Sequence, residues 1–116
     1  MYTARDRKVV LSVISGGKWE ESHGIWNYKG KQTASAVMIP HILPFGSVKK
    51  KIIKKLKIVA SSDDVNLSYK CPKYPNMPPY NVYDQEDYDT FAYLNTGMCE
   101  GDVWPIPLHI SCYKEA

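Results

Sequence analysis

His109-x-x-Cys112, with Cys71 and Cys99, supplies four soft side chains of the kind that hold zinc. Their spacing argues against such a site. No Cys-x-x-Cys pair anchors the set, and strand alternation puts His109 and Cys112 on opposite faces. A cysteine nucleophile needs a His and an orienting Asn or Asp close in space, and no local signature brings them together. Ser15-Gly16-Gly17-Lys18 lacks the spacing of a phosphate-cradling loop. Trp19, Trp26 and Trp104 could stack on a ligand ring, but large aromatics beside turns serve more often as packing. The expectation is a chain that catalyses nothing and holds neither metal nor cofactor.

Charge is the stronger signal. Between Lys73 and Lys114 there is no Lys or Arg but six acids, namely Asp84, Glu86, Asp87, Asp89, Glu100 and Asp102. Four of them crowd the stretch Asp84 to Asp89, which reads as a helix start: acids there favour the helix dipole, and Asp84 with Asp87 three residues on resembles a capping box. Six lysines crowd Lys49 to Lys57. Val48, Ile52 and Leu56 recur at helical spacing among them, so Lys50, Lys51, Lys54, Lys55 and Lys57 fall on the opposite, solvated face. Such a face can also meet phosphates, by salt-dependent binding without base reading, because no Arg, Asn or Gln is interleaved.

The elements that position these groups belong to one domain. The chain has 116 residues, 44% hydrophobic and 23% charged, with a formal net charge of +3. That is enough for one core and not two, so a single domain over residues 1–116, its core about 8–113, is expected. Three cysteines at irregular spacing point to free thiols in a reducing compartment, nucleus or cytoplasm. The charged N-terminus has no apolar secretory stretch, and the longest uncharged run, Gln32 to Val48, is broken by Pro40 and Pro44. Neither a leader nor a membrane partner is expected.

Val9 to Ile14 reads as a strand ending in a turn at Gly16-Gly17, and Trp26 to Ile39 as a second strand, which Gly30 could divide. A helix follows, with Ser47 as its N-cap. Val65 to Tyr69 alternates as a strand, and Lys70 to Tyr80 holds four prolines and must be a loop. A short extended piece, Asn81 to Tyr83, precedes a short helix with Tyr88, Phe91, Ala92 and Leu94 on its apolar side and Gly97 past its end. Trp104 to Tyr113 is the last strand. Val10, Ile14, Val37, Ile39, Val48, Ile52, Leu56, Val65, Leu67, Phe91, Leu94, Leu108 and Ile110 are the expected core. This order predicts an α+β fold, a mixed sheet with one main helix and a second short helix, of the β-grasp or ubiquitin-like roll type.

Three segments also carry a family resemblance: V-I-S-G-G-K-W-E (Val13 to Glu20), G-I-W-N-Y-K-G-K (Gly24 to Lys31) and M-P-P-Y-N-V-Y-D-Q-E-D-Y-D-T-F-A-Y-L (Met77 to Leu94). In order and spacing they resemble the N-terminal domain of plant MuDR-type (Mutator-like) transposases, with Lys31 standing where the family has a second Gly. Those domains are similar to Phox/Bem interaction domains. The resemblance implies a non-catalytic protein–protein interaction module of a transposase or a derived plant protein. It also implies an acidic partner-binding patch at Asp84, Glu86, Asp87 and Asp89, and a basic one at the start of the first strand, Arg5, Arg7 and Lys8. The partner would be another protein or another copy of the domain. Lys70 to Pro79, where the first half of the family's acidic motif falls, contains no acid, so self-association is expected to be weak.

Overall fold

The computed structural model describes residues 7–59, 64–74, 76–98 and 102–112. In chain order the elements are β1 (Lys8–Ser22), β2 (Ile25–Pro40), α1 (Phe45–Leu56), β3 (Val65–Tyr69), β4 (Tyr80–Val82), α2 (Gln85–Met98) and β5 (Leu108–Cys112). The fold is α+β, with one five-stranded mixed sheet in the order β2-β1-β5-β3-β4. β1 pairs antiparallel with β2 and parallel with β5, and β5 and β4 both run antiparallel to β3. Arg5, Cys99 and Glu100 lie outside the described residues.

One face of the sheet carries both helices. Val9, Leu11 and Val13 of β1, Val37 and Ile39 of β2, Val65 and Leu67 of β3, and Leu108 and Ile110 of β5 point into a single core with Val48 and Ile52 of α1 and Tyr88 and Phe91 of α2. Trp104 and Ile106, from the irregular link before β5, complete it. Asn95 holds that link in place: buried on α2, it donates to the Phe91 carbonyl and accepts the Ile106 amide at 2.7 Å.

Five local expectations are corrected. Val10 and Ile14 are half-buried on the face away from the helices, because Val9-Val-Leu-Ser-Val-Ile14 is apolar in both parities and its alternation does not choose a side. Leu56 and Leu94 pack on the rim of the core rather than inside it. Ser47 does not cap α1, whose N-cap position is Pro44. The first free amide, Phe45 N–H, instead donates to the side-chain oxygen of Gln85 on α2 at 2.7 Å. α2 runs through Gly97 to Met98.

The fifth correction is the Gly16-Gly17 segment, which is an irregularity within a long hairpin and not its end. β1 and β2 stay paired beyond it to a two-residue turn at His23 (φ 52°) and Gly24 (φ 79°), the geometry that matches strand twist. At the irregularity the two backbones nearly touch. Gly16 has φ 91°, and a Cβ there would lie 2.1 Å from the Lys31 carbonyl oxygen; one on Gly30 would lie 2.5 Å from the Gly16 carbonyl oxygen. Only glycine permits that approach.

Candidate protein-interaction surfaces

The shift at Gly16-Gly17 turns the hairpin so that Trp19 and Tyr28, directly paired across it, cover the helix-free face of the sheet. The Tyr28 hydroxyl accepts the Gly17 amide at 2.9 Å and donates to the Ile110 carbonyl at 2.7 Å, tying β2 to β5 across β1. Trp19 Nε1 donates to Ser68 Oγ on β3 at 2.8 Å. The rings of Trp19, Tyr28 and His109 meet with centroids 4.6 to 5.3 Å apart. His109 is buried beneath them, its Nδ1 has no hydrogen-bond partner, and burial pushes its pKa down to about 4. The Gly-Gly-x-Trp and Trp-x-Tyr-x-Gly segments thus build one stapled hairpin, and this cluster is packing, not a stacking platform. His109 and Cys71 do not approach a shared metal position: His109 lies on the helix-free face and Cys71 beside α2.

The four predicted acids sit at the start of α2 with distinct tasks. Asp84 Oδ1 accepts the Asp87 amide at 2.9 Å, and Asp87 Oδ2 accepts the Tyr83 amide at 3.0 Å, a reciprocal cap. Asp89 accepts from Gln85 Nε2 at 2.9 Å, and Gln85 in turn caps α1. Glu86 is exposed on the same turn. Among the described residues none of the four forms an ion pair; the two ion pairs found are Arg7–Asp102 and Lys29–Glu20. Of the predicted basic residues, Arg7 binds Asp102 at 2.8 Å with both side chains about half exposed, and Lys8 is exposed at the start of β1. The amide of His41 donates to the Arg7 carbonyl, and the connection His41 to Pro44 shares a groove of about 400 Å³ with Gln85, Tyr88 and Asp89. The basic start of β1 and the acidic start of α2 therefore both border this connection. Burial, with Asp89 adding to it, pushes Tyr88 up to about 12.

On α1, Lys50, Lys51, Lys54 and Lys55 are exposed, as is Lys57 just past its end. Lys54 and Lys55 occupy the last turn, where cations favour the helix dipole. Lys57 is left-handed (φ 56°) and closes the helix: its amide bonds the Lys54 carbonyl, and that of Ile58 bonds the Ile53 carbonyl. Among the described residues no acid pairs with this face.

A further surface was not expected from the sequence. β3, β4 and α2 enclose a groove of about 350 Å³ lined by Tyr69, Cys71, Tyr74, Tyr80, Asn81, Asp87, Thr90 and Leu94. Tyr69 and Tyr80 face each other across the β3–β4 pair, ring centroids 5.5 Å apart, and Tyr69 packs on Phe91 at 5.0 Å. Burial, then the neighbouring Cys71, Tyr80 and Asp87, raise the Tyr69 pKa, which keeps its hydroxyl protonated. The available signal was tyrosine on both sides of a proline-rich loop, but only the strand register brings those rings together.

The chain matches no protein-family model, and no curated protein matches its sequence. No helix among the described residues is long and apolar enough to cross a membrane.

Proposed function

We propose that this domain is a non-catalytic protein–protein interaction module of β-grasp, ubiquitin-like architecture, of the kind that opens Mutator-like transposases or proteins derived from them. The sheet order, with the first and last strands parallel at its centre, supports the architecture. The resemblance segments support the kinship: their glycines and aromatics build one device, and their late Asp-rich stretch begins α2. The observation that carries the function is the acidic turn of α2, where Glu86 and Asp89 are exposed and have no intramolecular cation among the described residues. An acidic surface of one copy meeting Arg7 and Lys8 of another makes a head-to-tail contact. It is weak, because Arg7 already holds Asp102 and exposed pairs contribute little.

Sedimentation equilibrium of the full chain over a wide concentration range tests this. Glu86→Lys with Asp89→Lys leaves the Asp84–Asp87 cap intact and should abolish the weak self-association. Arg7→Glu with Lys8→Glu should do the same, and mixing the two variants should restore one heterodimer. Unchanged association in both variants, with unfolding midpoints preserved, refutes the head-to-tail contact.

A second reading rests on the lysine face of α1, which is exposed without acidic partners among the described residues. It would give weak, sequence-independent nucleic-acid binding that falls steeply with salt. Affinity for duplex DNA that is unmeasurable even at low salt removes it.

A further inference from the structure

The groove between β3–β4 and α2 has a chemistry of its own. Tyr69, Tyr74 and Tyr80 line it with Cys71, Thr90 and Leu94, Tyr74 exposed on the loop and Tyr80 at the sheet edge. The hydroxyls of Tyr69, Tyr74 and Tyr80 have no protein partner among the described residues. Asn81 lines it from β4, its side chain turned to the opposite face of the sheet, where its Oδ1 accepts the Asn66 amide. Asp87 uses Oδ2 for the cap and has Oδ1 to spare, with Asp84 and Glu86 on the same turn. The site therefore offers aromatic faces, several donors, and one acidic end.

We propose that this groove docks a proline-rich segment of a partner protein in the polyproline II conformation, with a basic side chain at the end that meets Asp87. The proposal rests on reading the domain as an interaction module, and names the partner's chemistry. A polyproline II chain makes no internal hydrogen bonds, so its carbonyls seek donors, and its prolines have no amide to satisfy. Tyrosine rings and hydroxyls match both needs, and such segments dock in aromatic-lined grooves at low entropic cost. The acids at one end complement Lys or Arg and fix the direction of the chain. Other occupants fit worse. A β-strand would find only the three residues of β4 to pair with. A nucleic-acid strand could stack on the rings, but its phosphates would meet the Asp87 carboxylate.

The test is titration of the ¹⁵N-labelled full chain with a ten-residue peptide of Pro-Pro-Leu units ending in Arg, followed by amide shifts. Shifts should cluster at Tyr69, Asn81, Thr90 and Leu94. A peptide with Glu replacing Arg should bind more weakly, and a Gly-Ser peptide of equal length should not bind. Tyr74→Ala should weaken binding about tenfold, equivalent to about 1.4 kcal/mol, with unchanged shifts elsewhere showing that the fold survives. Tyr80→Phe, which keeps the ring, should lose less. No shifts at millimolar peptide, shifts outside the groove, equal binding of the Gly-Ser peptide, or binding of a thymidine decamer at these residues would each overturn the proposal. If the peptide fails while Glu86→Lys with Asp89→Lys still abolishes self-association, the groove assignment falls alone. If the peptide binds and self-association is untouched, the head-to-tail contact falls and the groove stands.

Discussion

His109 makes stability depend on pH in a way that can be isolated. In the native chain it is neutral beneath Trp19 and Tyr28, Nδ1 has no partner, and its pKa is about 4 against 6.5 when exposed. No carboxylate among the described residues pairs with it to offset a charge. Between these two values the unfolded chain binds the proton and the native chain does not. Stability is therefore complete above pH 6.5 and is lost as pH falls through 4. Linkage gives a loss of about 2 kcal/mol at pH 5 and about 3 kcal/mol at pH 4. Attraction of an imidazolium to the two ring faces returns part of this. His109→Phe keeps the ring contacts, sacrifices no hydrogen bond, and cannot titrate. Urea unfolding of both proteins from pH 7.5 to 4 is the assay, and the difference between them cancels the carboxylates common to both. The variant should match or exceed the native chain at pH 7.5 and lead it by about 2 kcal/mol at pH 5. Parallel stability curves would show that the imidazole is hydrated or repacks freely, and would refute the argument.

Asn95→Ala should cost about 1–3 kcal/mol, since it strands the buried Ile106 amide that Asn95 accepts; calorimetry that finds the variant as stable as the native chain would contradict this. Lys57→Gly should raise stability by about 0.5–1 kcal/mol, seen as a higher thermal midpoint, because Lys57 bears a left-handed conformation (φ 56°) that glycine adopts without strain. A lower midpoint would mean that the lysine side chain contributes more than its backbone costs.

Where one face of an element is polar, the sequence was enough. The lysines of α1 leave Val48 and Ile52 no choice of side, and Val65 and Leu67 alternate against Asn66 and Ser68. Where both faces are apolar the pattern does not choose a side, and Val10 and Ile14 lie on the face opposite to the one expected. The acidic cap at Asp84 and Asp87 is local chemistry and reads directly. The cap on α1 comes from Gln85, forty positions away, and no local pattern encodes it. Gly16-Gly17 looked like a turn because both turns and strand irregularities require glycine; the deciding fact is the close approach of the Lys31 carbonyl. The tyrosine groove depends on strand register and on the packing of α2 beside β4, and its rings are scattered along the chain.

The position of β5 orders events on the ribosome. The last of the described strands to be synthesised is the middle of the sheet, between β1 and β3. Until Leu108 to Cys112 has left the exit tunnel, the nascent chain can hold only a β1–β2 hairpin and a β3–β4 pair, each presenting an unpaired inner edge. Those edges are templates for misassociation between neighbouring nascent chains. The Tyr28 bond to the Ile110 carbonyl and the stacking of His109 under Trp19 form at the same late moment. The hairpin staple, the core and the sheet are therefore completed together, and a chain cut ahead of β5 leaves two half-sheets rather than a smaller version of the domain.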